Sequence, residues 1–393
     1  MKLLSCIGYY CSLFMNNEFG KLLTIIGQMQ CQGHLLEFKD GIYFGASSDT
    51  ITIPDCVTHL LLYDIKYNQY RPGYRYIPNS VKYLTFGPIF NKKIKPGAIP
   101  DSVTHLVFGE YFNKPLVSGI IPNSVTHLVF GKYYNQPLKQ GDIPDSVTHL
   151  TFGSSFNQQL QINVIPDSVT HLTFGPSYNQ QIEINIIPNS VTHLVLGNFH
   201  KELFKDVYLN PGVIPNSVTH LKFGTYFNQP LKPGIIPDSV THLCLGASFN
   251  QTLNPGDIPD SVTHLVFGSY FNQHIKPGVI PNSVTHLVFG YGFDQFISKK
   301  AIPDSIIYIK YENYRKKFKI ITDHFENAII EKRMLGGAII FNRNKWTRYN
   351  CKYFFDSEKK YYQNFFHSKL NSGILDELPN ELLFYILEYA YAR

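Results

Sequence analysis

The dipeptide Ile-Pro recurs with a fixed step, and no other feature of the chain restricts its fold so much. Its prolines stand at 54, 78, 100, 122, 144, 166, 188, 215, 237, 259, 281 and 303. One gap is 24 residues, one is 27, and all the others are 22. Counted from Pro as position 1, the unit reads P-[DN]-S-V-T-H-L-x-F-G-x-x-[FY]-N-Q-x-[LI]-x-x-G-x-I. A strict period in the range of 20–50 residues is the signature of a solenoid, in which each short coil is stable only against its neighbours. Within the unit, Val-Thr-His-Leu-x-Phe is alternating and partly β-branched, so it reads as one short strand per coil. Leu at position 7 and Phe at position 9 then share the inner face. Gly at position 10 lets the chain turn after the strand. Pro-Gly at 96–97, 211–212, 233–234, 255–256 and 277–278 predicts a type II turn. Twenty-two residues leave no room for a long helix, so extended segments, turns or a single 3₁₀ turn fill the rest of the coil.

The expected architecture is a mainly β, leucine-rich-repeat-like solenoid of about 11 coils with one parallel strand per coil. About six apolar side chains per coil, at positions 4, 7, 9, 13, 17 and 22, form its core. At a strand spacing of about 4.8 Å the stack runs on the order of 50 Å. The boundaries read as an N-terminal cap at 1–50, the solenoid at 51–311, a basic aromatic region of mixed α/β or helical character at 312–373, and an amphipathic helix at 374–393.

Composition narrows the function classes. Charged residues make up 16% of the chain and aromatic ones 15%, a balance that argues for a packed chain over a disordered one. Of 393 residues, 35 are Lys or Arg and 29 Asp or Glu, and the excess lies in one place: residues 304–370 hold 14 basic and 7 acidic side chains. The repeat body is nearly neutral and a poor polyanion binder. The six cysteines form no C-x-x-C pair, which leaves no disulfide framework or zinc module and suits the cytosol or nucleus, with a cytoplasmic protein expected. The first residues loosely resemble a leader, but polar residues interrupt the apolar run. No 18-residue apolar stretch occurs, so no membrane association is expected.

These residues carry a resemblance. The Phe-Asn-Gln signature with the Ile-Pro-x-Ser-Val-Thr-His-Leu strand resembles the FNIP repeat, a relative of leucine-rich repeats found in social amoebae and their large DNA viruses. It covers roughly residues 51–311. The resemblance implies a curved solenoid that binds proteins without catalysis, and, for a viral protein, residence in the host cytoplasm.

Repeats can be compared with one another. A position identical in every coil meets the same surroundings each time and reads as structural; a varying one is free to meet a partner. His at position 6, including His127, His149, His242 and His264, predicts a ladder on the outer strand face. A metal row is the sharper reading, but one imidazole per coil with no Asp, Glu or Cys in register closes no ligand set, so neither metal nor cofactor is expected. Ser at position 3 and His at position 6 recur together, yet they fall on opposite faces with no acid to orient the imidazole, so no hydrolase and no other enzyme is expected. Asn at position 14 reads as a ladder that satisfies backbone groups, with Gln at position 15 able to extend it. At position 12, Tyr111, Tyr133, Phe199, Tyr226 and Tyr270 join His and Val/Thr in a charge-poor aromatic surface. That is the composition of a protein interface, expected on the concave face. The over-long coil between Pro188 and Pro215 places an insertion at 198–208.

Two terminal features remain. Basic and aromatic residues between 310 and 360 can grip nucleic acid, though no recognised motif is present and a solvated cap is favoured. At the end of the chain, Leu378, Pro379, Glu381, Leu382, Ile386 and Leu387 resemble the opening of an F-box, whose core docks on the Skp1 adaptor of cullin ubiquitin ligases. Only its first helix is present. The alternative is an amphipathic helix that packs back on the solenoid. The leading function is therefore a protein-interaction scaffold with a substrate-adaptor tail. Nucleic-acid binding through 310–360 and a purely structural repeat array are the alternatives.

Overall fold

A computed structural model describes residues 38–39, 42–45, 55–62, 77–198, 209–311, 329–334 and 337–342, all within one compact unit, Leu36–Arg348. Its strands form a single 16-stranded sheet in chain order. The first two are β1 (Phe38–Lys39) and β2 (Ile42–Gly45). The repeats contribute β3 (His59–Leu62), β4 (Tyr83–Phe86), β5 (His105–Val107), β6 (His127–Val129), β7 (His149–Thr151), β8 (His171–Thr173), β9 (His193–Val195), β10 (His220–Lys222), β11 (His242–Cys244), β12 (His264–Val266), β13 (His286–Phe289) and β14 (Tyr308–Tyr311). Beyond the repeats lie β15 (Ile329–Met334) and β16 (Gly337–Asn342). From β2 to β15 every neighbouring pair is parallel, and the antiparallel pairs β1–β2 and β15–β16 flank them. The sheet thus begins before the first Ile-Pro and continues past Tyr311.

The register has no stagger. His105 pairs with His127, Leu106 with Leu128 and Val107 with Val129. The 27-residue coil does not disturb it, because His193 still pairs with His220. Equivalent positions therefore stack directly.

Three turns close each coil. The first spans positions 1 to 4, with Val125 N–H donating to the Pro122 carbonyl at 3.1 Å. The second follows the strand, with Phe112 N–H on the Gly109 carbonyl at 3.0 Å. The third is the type II turn read from Pro-Gly. Ala98 N–H donates to the Lys95 carbonyl, and Gly97 has φ +76°. Asn163 and Asn185 occupy this left-handed position in two coils that lack Gly there, and in the coil from Pro281 a 3₁₀ turn, Lys299–Ala301, takes its place.

Gly at position 10 has a different reason from the turn anticipated above. Its φ is not left-handed; a Cβ on Gly109, Gly131 or Gly153 would overlap the carbonyl of the equivalent Gly in the preceding coil. The coils approach so closely there that only hydrogen fits.

The interior holds the predicted six apolar positions. In the coil that begins at Pro100 these are Val103, Leu106, Phe108, Phe112, Leu116 and Ile121, all buried. Two aromatic columns run through it. Phe86, Phe108, Phe130, Phe152 and Phe174 stack at 5.6–5.8 Å between ring centres. Beside them Phe90, Phe112, Tyr134, Phe156 and Tyr178 stack at 6.0–6.3 Å.

A candidate protein-interaction surface

The outer side of the sheet is built from positions 6 and 8, which point away from the core because the Leu at position 7 points into it. The imidazoles form a column. His105, His127, His149 and His171 stack at 4.1 Å with planes 12–14° apart, and the column continues from His193 through His286 at 4.2 Å. Tyr83 replaces His in one irregular coil and stacks on His59 at 4.2 Å. The rings are half-buried, less open than the sequence reading supposed, since each neighbour covers a ring face. Nδ1 lies 2.9 Å from the hydroxyl of the Thr before it, as in Thr126–His127 and Thr263–His264.

Burial, and after it the neighbouring rings, hold these imidazoles neutral. His105 and His193 are lowered to about 4, and His149, His220 and His264 to about 3. His127 and His171 shift the same way, chiefly through burial. Among the described residues, no group of three His, Cys, Asp or Glu is placed to hold a metal ion. The repeated serine stands apart from the imidazole. Ser124 Oγ donates to the Val103 carbonyl at 2.6 Å, and Ser146 and Ser168 repeat the bond. In these three the hydrogen is committed to joining coils, whereas Ser102 makes no such bond.

Position 8 is only partly open. Val107, Val129, Lys222 and Val266 are half-buried, whereas Leu61, Thr151, Thr173 and Val288 are buried.

Position 12 lies on the turn after the strand, so the tyrosines form a separate row from the imidazoles. Tyr111, Tyr133, Tyr226 and Tyr270 are 49%, 38%, 51% and 67% exposed, enough to present aromatic surface to a partner. Tyr111 and Tyr133 stack at 4.9 Å. Lys132 Nζ sits 5.0 Å from the Tyr133 ring centre and 3.4 Å from Glu110 Oε1, so the patch on these two coils carries a compensated ion pair. Backbone bonds fix the row, because Tyr133 N–H donates to the Glu110 carbonyl of the preceding coil at 2.9 Å. Repeat comparison did not single out Ile89, Ile162 and Ile184, which are also exposed. Ile89 extends the tyrosine row and the other two occupy the type II turn tips. They vary between coils, which is the only trace they leave in the sequence.

The Asn ladder is present. Asn135, Asn157 and Asn179 each donate the backbone N–H to the side-chain oxygen of the preceding Asn at 2.8–3.0 Å. Gln158 and Gln180 extend it, each donating through Nε2 to the Asn of the coil before. In the over-long coil Asn198 takes up the role and accepts from Tyr226 N–H at 2.9 Å.

Phe199, the rest of the insertion, most of the basic 310–360 segment and the tail residues Leu378, Pro379, Glu381, Leu382, Ile386 and Leu387 lie outside the described residues. Among the described residues no helix is long and apolar enough to cross a membrane.

Comparison with known proteins supports the coil-by-coil reading. Among solved structures the chain resembles CroV588, described as a novel circular LRR protein, with a TM-score of 0.62 and 40% identity. The match covers 72% of this chain and 42% of that one, so the chain spans less than half the length of that protein. No curated protein matches. The FNIP repeat model matches in overlapping segments from residue 67 to residue 313, more than half of the 393 residues. The chain belongs to the FNIP-repeat family.

Proposed function

We propose that the repeat array is a protein-interaction scaffold whose partner docks on the position-12 tyrosines and the strand face next to them. The observation that carries this reading is the row of exposed rings at Tyr111, Tyr133, Tyr226 and Tyr270, held on rigid turns of a stacked fold. Tyrosine brings large contact area at low entropic cost, and interfaces are enriched in it. The imidazoles His127, His149, His242 and His264 contribute half-buried ring edges to the adjoining face.

The tail motif supports a finer role. Leu378, Pro379, Glu381, Leu382, Ile386 and Leu387 match the opening of an F-box, so the chain would present a bound substrate to Skp1 and a cullin ligase in the cytoplasm. One affinity capture tests both parts. Three chains are compared: the full chain, the chain ending at Ser372, and the full chain with Tyr111, Tyr133, Tyr226 and Tyr270 all replaced by Ser. Skp1 and cullin should be recovered only when the tail is present, and the substrate should be lost only from the tyrosine variant. Substrate capture unchanged by the four replacements rules out the tyrosine row. Ligase subunits absent from every chain rule out the adaptor role.

A further inference from the structure

The position-12 row is interrupted, and one of its interruptions has the width of a single ring. From the coil of Pro78 to that of Pro259 the row reads Ile89, Tyr111, Tyr133, Ser155, Ser177, Phe199, Tyr226, Ser248 and Tyr270. In that run Ser248 alone is a single small residue between two tyrosines.

Where two tyrosines are adjacent in the row, they stack, as Tyr111 and Tyr133 do at 4.9 Å between ring centres. The backbone sets that step. The position-12 N–H donates to the position-11 carbonyl of the coil before, from Tyr133 to Glu110 at 2.9 Å, from Ser248 to Thr225 at 2.8 Å and from Tyr270 to Ala247 at 2.8 Å. The coils are paired here as strands are, with a step of about 4.8 Å, so Tyr226 and Tyr270 stand roughly 10 Å apart. A ring set midway lies about 5 Å from each, inside the range of about 4.5–7 Å over which aromatic pairs attract. The half-buried Ser248 side chain is too short to fill that space. Tyr226 and Tyr270 keep 51% and 67% of their surface open, against 38% at Tyr133, which stacks on Tyr111 and lies under Lys132. Tyr270 is the most open of the row because both its neighbours there, Ser248 and Gly292, are small.

The surroundings select the kind of ring. Across positions 5–17 of the coils of Pro215, Pro237 and Pro259, Lys222 is the only Lys, Arg, Asp or Glu. One positive side chain with no negative one disfavours a guanidinium or ammonium group between the two tyrosines, whereas a neutral ring meets no such repulsion. The closed pair differs. Its coils carry Glu110 and Lys132 at position 11, where the open pair has Thr225, Ala247 and Ser269.

We propose that the gap over Ser248, walled by Tyr226 and Tyr270, is a slot for one uncharged aromatic side chain (Phe, Tyr or Trp) of the protein partner. The proposal rests on the scaffold reading above and names the group that the tyrosine row receives. Rings at equivalent positions of successive coils stack elsewhere in the molecule, as the imidazoles do at 4.2 Å from His220 through His264. The guest ring continues that pattern from outside, in the place of a missing rung.

Filling the gap separates a slot from a general supply of aromatic surface. Ser248→Tyr installs the residue that the neighbouring coils carry there, which closes the slot and lengthens the tyrosine row. Ser155→Tyr lengthens the row beside Tyr133 and leaves the slot open. In the affinity capture described above, Ser248→Tyr should cut substrate recovery roughly tenfold, the loss expected for two ring contacts, and Ser155→Tyr should leave it unchanged. Substrate kept by Ser248→Tyr and lost from the four-serine chain overturns the slot alone. A loss from Ser155→Tyr as large as that from Ser248→Tyr also overturns the slot. Substrate kept by every chain overturns the scaffold reading as well. A second measurement uses the native full chain, with N-acetyltryptophanamide as the probe and proton NMR of the tyrosine rings as the readout. The rings of Tyr226 and Tyr270 should shift, those of Tyr111 and Tyr133 should not, and N-acetylargininamide should shift neither pair. No shift at Tyr226 and Tyr270, equal shifts at all four rings, or an arginine effect as large as that of tryptophan overturns the proposal.

Discussion

At the scale of single residues, two glycines of the same coil family do opposite jobs. Gly131 sits where a Cβ would overlap the backbone of the preceding coil, whereas Gly97 has open space around its missing Cβ but a φ of +76°. Gly131→Ala must push two coils apart, at a cost of about 3 kcal/mol. Gly97→Ala meets only left-handed strain, about 1 kcal/mol. Denaturant unfolding of the two variants should rank them in that order, and equal losses would show that the coils are not in tight contact at position 10. The repeat makes both glycines visible in the sequence but does not tell these roles apart. A turn signal and a contact signal look the same when read as "always Gly". The Pro before Gly97 gives its turn away, while the contact at Gly131 depends on the neighbouring coil. The Thr of each Thr-His pair was hidden for a similar reason. Thr at position 5 reads as a good strand former, and only the structure shows its hydroxyl 2.9 Å from the Nδ1 of the His that follows.

At the scale of one element, the Asn ladder replaces strand pairing where the strands end. Asn157 accepts from Asn179 N–H at 2.8 Å and from Gln180 Nε2 at 3.2 Å. Asn157→Ala leaves that backbone donor without its acceptor beside the aromatic columns, which costs about 1–3 kcal/mol. Hydrogen exchange should quicken at Asn179, and an unchanged rate there would show that the ladder carries no such weight. The strand, the three turns and the six core positions were legible because the same environment is written out in coil after coil. The surface was less so. Tyr at position 12 and His at position 6 were expected to share one face, but the chain turns at the position-10 Gly between them, so they occupy separate rows. Val and Thr at position 8 were expected to join that surface, yet Thr151 and Thr173 are buried. Alternation along a strand gives the direction of a side chain and says nothing about what the neighbouring coils place over it.

For the whole molecule, the stacked imidazoles link stability to pH. Their folded pKa values are depressed, with His149, His220 and His264 at about 3 and His105 and His193 at about 4, against 6.5 for the free side chain. The unfolded chain therefore binds more protons than the folded one between pH 6.5 and about 3. The contribution is complete above pH 6.5 and is lost as pH falls through that window. Thermal melting followed by circular dichroism should give a steady midpoint from about pH 8 to 7 and a falling one below about 6.5. The fall should be shallower when His127, His149 and His171 are replaced by Tyr, which other coils carry at this position. A midpoint unaffected by acid down to about pH 4 would mean that the rings titrate normally. The unstaggered register has a further consequence for how such a chain changes length. The bonds between coils join the same pair of positions at each step, as Ser at position 3 joins the carbonyl at position 4 of the coil before, so inserting or deleting one whole unit recreates them at the new junction. The coil after Pro188 is five residues longer than the unit, and His193 and His220 nevertheless remain paired. The molecule is therefore a ruler with a fixed graduation, about 4.8 Å of sheet per unit gained or lost. Its reach can be adjusted in whole steps without re-solving the interior.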